Sequence, residues 1–431
     1  MKKINIGLVG FGTIGTGVVR ALKERNSLLT KRSGMQLVLK RICDKDITQR
    51  KTVNVDRSIL TKNIDDILND KEIDIVIELV GGIHPAKEII SEALKKGKHV
   101  VTANKALLAE CGLELFRLSN SQKRDIYFEA SVGGGIPIIR SLKEGLVSNK
   151  FAAIYGIVNG TSNFILTQMS QQGISFKDAL RDAQKRGFAE KKPTLDIEGF
   201  DSAHKLIVLA QIAFGKFVKL SDIFVEGISR ISLDDIKYAT ELGLVIKLLA
   251  IAKKQKDELE LRVHPTMISK QHLLASVDGA FNAIHLSTDM VGDLLLYGPG
   301  AGQNPTASAV ISDVVSLAEK VNSSSMFVPF NFEQTGGRIR RLRKIDQIST
   351  RFYIRFMAID KPGVLAKISG VLGKYNISIA SVSQKERRRA KIVPVVIVTH
   401  EAKERAMRLA LERLNKLAIV RESVAIRMEE T

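Results

Sequence analysis

Three groups of residues in this sequence carry the means for chemistry. The first is Gly10-Phe11-Gly12-Thr13-Ile14-Gly15, a GxGxxG run between an apolar stretch at residues 4–9 and a helical pattern through Val18, Val19 and Leu22. Strand, glycine loop and helix in that order predict a dinucleotide site. Gly10 allows the tight turn, Gly12 lets backbone approach a pyrophosphate, and Gly15 lets helix and strand pack closely. The helix N-terminus adds N–H donors and partial positive charge for the phosphates. The second group is Asp201 and Lys205, spaced i, i+4 on a helix whose apolar face continues through Leu206, Leu209 and Ala210. They share one side of that helix and can pair. A cation beside a carbonyl stabilises a developing alkoxide and supplies its proton, although an ordinary surface helix carries the same pair. The third is Glu129, which opens the turn EASVGGGIP. Three consecutive glycines expose backbone carbonyls, hard oxygen ligands suited to a cation such as sodium. The same run would also serve as a hinge.

The elements needed to position these residues follow from the apolar pattern. Residues 36–43 read as a second strand, 73–80 as a buried parallel strand, 98–102 and 125–132 as two more, with a helix over 85–96 stopped by Gly97. Strands alternating with helices predict a doubly wound parallel sheet. Asp44 ends the second strand, where an acid binds the adenosine ribose and favours NAD. Lys40, Arg41 and Lys45 surround it and could hold a 2′-phosphate, so NAD and NADP both stay open.

The 431 residues include 66 basic and 46 acidic side chains, a net charge of +20. The length predicts two to four domains. With 45% hydrophobic and 26% charged residues the chain is an ordinary globular one, neither disordered nor fibrous. Two cysteines, Cys43 and Cys111, exclude a disulfide scaffold and a zinc ribbon and fit a reducing cytoplasm. No apolar run reaches the length of a membrane span. The charged start before residue 4 lacks the cleavage site of a signal peptide. From Arg338 onward there are 22 basic and 9 acidic side chains. This tail lacks the interleaved aromatics of a nucleic-acid surface, so a highly charged host cytoplasm or attraction of anionic metabolites is the preferred reading.

Later motifs make the resemblance specific. Thr102-Ala103-Asn104-Lys105, the run 129–137, Asn159-Gly160-Thr161-Ser162-Asn163, Gly187-Phe188-Ala189-Glu190, the run 196–205 and Gly298-Pro299-Gly300-Ala301-Gly302 occur in that order. As a set, from residue 4 to about 320, they resemble homoserine dehydrogenase. The resemblance implies reversible NAD(P)H-dependent reduction of L-aspartate 4-semialdehyde to L-homoserine. It implies Lys205 as proton donor with Asp201 beside it, and Glu190, Asp196 and Asp201 as acceptors for the substrate ammonium. Lys105 would lie between nicotinamide and substrate, with Gly187 and Gly302 also at the cofactor. A monovalent cation, sodium, would be held by Glu129, Val132, Gly134 and Ile136. One departure is Lys191-Lys192 after Glu190, where the family usually has a small and an acidic residue. The helix at 306–318 would return to complete the nucleotide fold. His204 lies beside Lys205 but about 100° round the helix, which predicts a structural role.

Beyond the basic linker after Gly336-Gly337, the pattern reads strand, helix, strand, strand, helix, strand, with Asp360-Lys361-Pro362-Gly363-Val364-Leu365 at the first turn. This resembles an ACT domain, a small effector-binding module that pairs across subunits. The resemblance implies an amino-acid effector, L-threonine, near Gly363 of one subunit and Asn376 and Ile377 of its partner. The linker predicts a separate module with few contacts crossing.

The fold expectation is thus α/β: a Rossmann-type doubly wound domain over 1–135, completed by 303–325, an α+β substrate and dimerisation domain over 136–302, a linker over 326–347, and a βαββαβ ACT domain over 348–431. The expected partners are the small-molecule substrate, threonine and a second or fourth copy of the chain, with no nucleic acid and no membrane. A nucleotide-sensing regulator would lack the acid and lysine set at 190–205, and a different dehydrogenase would carry other pocket residues.

Overall fold

Lys3–Val9 forms β1, with Ile4, Ile6 and Leu8 fully buried, and it feeds the glycine loop into the helix Thr13–Glu24. Next come β2 (Gln36–Cys43), β3 (Leu60–Thr61), β4 (Ile75–Glu78), β5 (His99–Thr102) and β6 (Ile126–Tyr127). They form one sheet in the order β3-β2-β1-β4-β5-β6, every neighbour parallel. The chain reverses direction across the sheet between β1 and β4, the switch point where such sheets bind ligands.

This computed structural model describes residues 2–47, 53–323, 327, 329, 339–384 and 392–429. Gly336-Gly337 and Arg338 lie outside the described residues. The chain divides into two units, one of Met1–Phe151, His204–Leu220 and Asn282–Ile339, the other of Ala152–Ala203, Ser221–Phe281 and Arg340–Thr431.

In the first unit the returning helix runs Gln303–Ser323, longer than the 306–318 expected, with Pro305 in its first turn. Its Val310, Val314 and Leu317 share a core with Ile4, Ile6, Leu8, Val18 and Ile75. The strand expected over 125–132 stops at Tyr127, and residues 129–131 turn out of the sheet as a short 3₁₀ helix. The Glu129 N–H donates to Asp313 Oδ2 at 2.8 Å, from a helix far along the sequence, instead of to a neighbouring strand.

In the second unit β7 (Phe151–Ile157) pairs antiparallel with β8 (Leu244–Gln255), which pairs antiparallel with β9 (Glu258–Ser269) over twelve residues. The tail has the expected βαββαβ order: β10 (Ser349–Ile359), helix Val364–Lys374, β11 (Ile379–Gln384), β12 (Ile392–Thr399), helix Glu404–Leu414 and β13 (Val420–Glu429). Its sheet order is β13-β10-β12-β11.

The tail is not the loosely tethered module that its linker suggests. β13 pairs parallel with β9, Thr266 to Ile268 opposite Arg427 to Glu429. Arg262 of β9, 1% exposed, bonds Glu260 at 2.6 Å and also Glu429 of β13. Arg355 of β10 donates to Asp235 at 2.7 Å, and the Tyr353 hydroxyl donates to the same carboxylate at 3.1 Å. Burial and nearby guanidinium groups hold His264 well below the ordinary histidine value, so beside Arg262 it is neutral.

Candidate active site and its relatives

The three glycines of the first motif occupy three different spaces. Gly10 is left-handed, at φ 97°, and a Cβ there would meet Leu79 O at 2.6 Å. A Cβ on Gly15 would meet Gly10 O at 2.1 Å, so only glycine lets the helix close on the turn. A Cβ on Gly12 meets nothing within 4 Å. The open side of Gly12 belongs to a cavity of about 600 Å³ lined by Gly10, Gly12, Asp44, Lys45, Lys62 and Val80 among others. Thr13 begins the helix, which has no acidic residue in its first turn to compete with an anion. The Phe11 side chain is buried in the core and not in the cleft, and Ile14 packs against that core.

Asp44 is already engaged. It accepts from the Phe11 N–H and, at 2.7 Å, from Asp46 N–H, tying the glycine loop to the end of β2. Lys40 pairs with Asp70 at 2.7 Å and with Glu72, and Arg41 donates to Ser58 O at 2.6 Å. Neither lines the cleft. Lys45 does, with Lys62, a residue that sequence spacing did not reveal because it comes from beyond β3.

At the ends of β4 and β5 a buried chain of bonds sets the start of the helix Lys105–Gln122. Glu78, fully buried, accepts from Val80 N–H at 2.7 Å and from Thr102 Oγ1 at 2.7 Å. Thr102 Oγ1 accepts from Asn104 N–H, Asn104 Oδ1 accepts from Leu107 N–H at 3.1 Å, and Lys105 is the first helical residue. Glu78 was not singled out in the sequence, where it is one acid at the end of an apolar run.

The glycine turn after Glu129 packs backbone on backbone. A Cβ on Gly134 would meet Gly300 at 2.6 Å, and Gly135 N–H donates to Pro299 O at 3.1 Å. Gly302, at φ 115°, opens the helix Gln303–Ser323. Both Glu129 carboxylate oxygens accept backbone N–H groups, from Ile139 and Arg140, each at 2.8 Å. Val132, Gly134 and Ile136 are buried beside it. Burial raises the Glu129 carboxyl above its ordinary value and pushes Asp313, which is also repelled by Glu129, up to about 7. Among the described residues no group of three His, Cys, Asp or Glu could hold a metal. Any cation here would therefore depend on backbone carbonyls.

In the second unit Asn159 caps the helix Gly160–Gln172, its Oδ1 accepting from Ser162 N–H at 2.8 Å. Its amide then reaches both acids, Asp196 at 2.7 Å and Asp201 at 2.8 Å. Ser162 Oγ donates to Asp196 O at 2.8 Å, fixing the segment that carries that acid. Asn163 donates to Val277 O and Gly279 O, both at 3.0 Å, and a Cβ on Gly160 would meet Ala280 O at 2.6 Å. Glu190 is exposed, on the loop after Gly187, whose φ of 77° ends the preceding helix. Lys191 and Lys192 are exposed beside it. Asp201 begins the helix Phe200–Phe214, and Lys205 lies one turn further along it. Both are buried. His204 Nε2 lies 3.9 Å from Glu110.

In the tail, Gly363 is left-handed at φ 80° and caps the helix Val364–Lys374. Asn376 is left-handed at φ 57° and exposed, and Ile377 is buried.

A glycine cradle at the switch point of a parallel sheet, together with a helix that carries the buried Asp201 and Lys205, defines the class: a nicotinamide-dinucleotide oxidoreductase. Comparison with known proteins gives the family. Residues 10–129 match the NAD-binding domain of homoserine dehydrogenase, 137–315 match homoserine dehydrogenase itself, and 352–418 match the ACT domain. The homoserine dehydrogenase of Neisseria gonorrhoeae is 41% identical over 100% of this chain and 99% of its own, and that of Helicobacter pylori 42% over 97% of each. A crystal structure of a homoserine dehydrogenase from Thiobacillus denitrificans superposes with a TM-score of 0.92 at 40% identity, covering 100% of this chain and 99% of that one. A hyperthermophilic archaeal homoserine dehydrogenase in complex with NADPH superposes with a TM-score of 0.64 at 27% identity, over 74% of this chain and 98% of that one. The chain belongs to the homoserine dehydrogenase family. It is an NAD(P)-dependent oxidoreductase of the CH–OH group, interconverting L-aspartate 4-semialdehyde and L-homoserine. Among the described residues no helix is long and apolar enough to cross a membrane.

Proposed function

We propose that Lys205 is the proton donor and that Asp196, Asp201 and Glu190 receive the substrate ammonium. The observation that carries this reading is Asn159, whose amide holds the Asp196 and Asp201 carboxylates at the start of the helix that bears Lys205. Two acids fixed by one donor form a preset receptor for a cation. When bound, the dihydronicotinamide supplies a hydride to the aldehyde carbon. The carbonyl π pair then moves to oxygen, and the Lys205 ammonium gives that oxygen its proton. In oxidation the neutral lysine takes the proton back. Lys105, at the N-terminus of its helix, meets the substrate carboxylate. The test is substrate truncation: 4-hydroxybutyrate, which lacks the ammonium, should be oxidised at least 100-fold less efficiently than L-homoserine. Asp196→Asn should raise KM for homoserine more than it lowers kcat. Equal kcat/KM for the two alcohols would remove the acids from the substrate site.

We assign the 2′-phosphate of NADP to Lys45 and Lys62, because both line the cleft while Asp44 is tied to the glycine loop. NAD remains usable, since none of the described residues lining that cleft requires the phosphate. Sodium fits the turn at Glu129, with carbonyls of Val132, Gly134 and Ile136 completing the set. Glu129 and Asp313 are buried acids whose carboxyl groups burial disfavours as anions, and a nearby monovalent cation would relieve this. Threonine inhibition is assigned to the tail, near Gly363 and to Asn376 and Ile377 of a second copy. A homodimer or homotetramer, read by sedimentation, is part of that proposal.

A further inference from the structure

The second unit holds a cavity of about 460 Å³ that the chemistry above does not use. One wall is the segment from Phe224 to Arg230; the other is the helix Glu404–Leu414 with β13. Its apolar lining includes Met407, Leu411 and Phe352. Arg427, 6% exposed, sits at this junction. It donates to Glu226 at 2.7 Å and to Glu404 at 2.8 Å, and its guanidinium lies 4.5 Å from the centre of the Phe224 ring. Arg230, by contrast, lines the cavity with an exposed guanidinium that has no hydrogen bond or ion pair among the described residues. The volume is that of a small-molecule pocket. An unpaired guanidinium, carboxylates and an apolar wall together match a zwitterion with an apolar side chain.

We propose that this cavity is an effector site for a small α-amino acid with an apolar side chain. Its carboxylate pairs with Arg230, its ammonium with Glu226, and its side chain packs on Met407 and Leu411. The site is distinct from the one assigned to threonine at Gly363 and Asn376. It also has a route to the substrate acids. Ile228 N–H donates to Ile197 O at 2.8 Å. A Cβ on Gly227 would come within 2.3 Å of Ile197 O and 2.4 Å of Glu198 Cα, so the cavity wall and the segment next to Asp196 are in backbone contact. A ligand that shifts Glu226 moves the backbone on which Asp196 is set, and Asp196 is held to Asp201 through Asn159. The coupling half of the proposal rests on those acids binding substrate.

Calorimetry on the full chain tests it, with L-leucine as the probe. The controls are 4-methylpentanoate, which lacks the ammonium, and L-leucinamide, which lacks the carboxylate. One saturable leucine site per chain is expected, with both controls at least tenfold weaker. Arg230→Ala should weaken leucine at least tenfold while leaving homoserine turnover unchanged, and Asn376→Gly should leave leucine binding as it is. Homoserine and leucine should change each other's affinity by the same factor, as linkage requires. Absence of saturable leucine binding, binding indifferent to Arg230→Ala, or binding lost in Asn376→Gly would overturn the site. Leucine that binds without changing homoserine affinity would overturn the coupling. Homoserine oxidation on the same samples reads the substrate assignment separately, because it needs no leucine.

Discussion

At the scale of single residues, the proposed cofactor preference rests on Lys62 and Asp44. An acid at the end of β2 is ordinarily a ribose ligand, but here its two oxygens already accept Phe11 N–H and Asp46 N–H. On the proposed reading, the cations that line the cleft decide the 2′-position. A charge-assisted hydrogen bond contributes about 1.5–3 kcal/mol. Lys62→Ala should therefore lower kcat/KM for NADP by roughly 10- to 100-fold and leave NAD within about twofold; initial rates with each cofactor measure this. Equal losses with both would place Lys62 away from the phosphate. The sequence made the glycine loop legible because strand, GxGxxG and helix are local. It did not reveal Lys62, which reaches the cleft only through the pairing of β2 with β3. Nor did it show Glu78, whose partners Thr102 and Val80 come from two strand ends. Asn376 illustrates the reverse: its identity suggests a ligand contact, yet its left-handed φ of 57° already favours asparagine or glycine. Asn376→Gly removes the side chain without backbone strain, so a loss of threonine inhibition in that variant reports the side chain alone.

Two elements with their own electrostatics meet at Glu129: the turn EASVGGGIP and the helix Gln303–Ser323. The Asp313 carboxyl sits at about 7 in the fold against an ordinary value of 3.8. Between those values the folded chain holds a proton that the unfolded chain has released, so stability falls as pH rises from about 4 to about 7 and is level above. Asp313→Asn keeps an acceptor for Glu129 N–H and should flatten that slope, raising stability at pH 8. Urea midpoints from pH 4.5 to 8 check it, and an unchanged slope would remove Asp313 as its cause. Sodium in place of a bulky organic cation should raise the pH 8 midpoint of the native chain if the ion sits beside Glu129. The strand and helix order of this region was readable from apolar periodicity. The early end of β6 was not, because it depends on Asp313, which is distant in sequence.

On the scale of the whole molecule, the tail is built into the second unit rather than hung from it. Its order βαββαβ was legible because each element has its own period. Its attachment was not, because β13 pairs with β9 through residues about 160 apart in sequence. Removing Glu429 leaves the buried Arg262 without one of its two carboxylates, a loss of about 3–5 kcal/mol for a buried pair. Glu429→Ala should lower the melting temperature sharply while changing the cofactor affinity little. Cutting the chain after residue 337 should cost stability as well as the proposed threonine response, so a truncation that melts with the full chain would contradict this docking. The proposed chemistry is one step, a hydride to carbon and a proton from Lys205 to oxygen. That step is tested most directly by the initial rate of NADP-dependent L-homoserine oxidation in Lys205→Ala beside the native chain. The account predicts that kcat falls by roughly 10² to 10⁴ with the NADP dissociation constant unchanged; turnover near the native rate at neutral pH would contradict it.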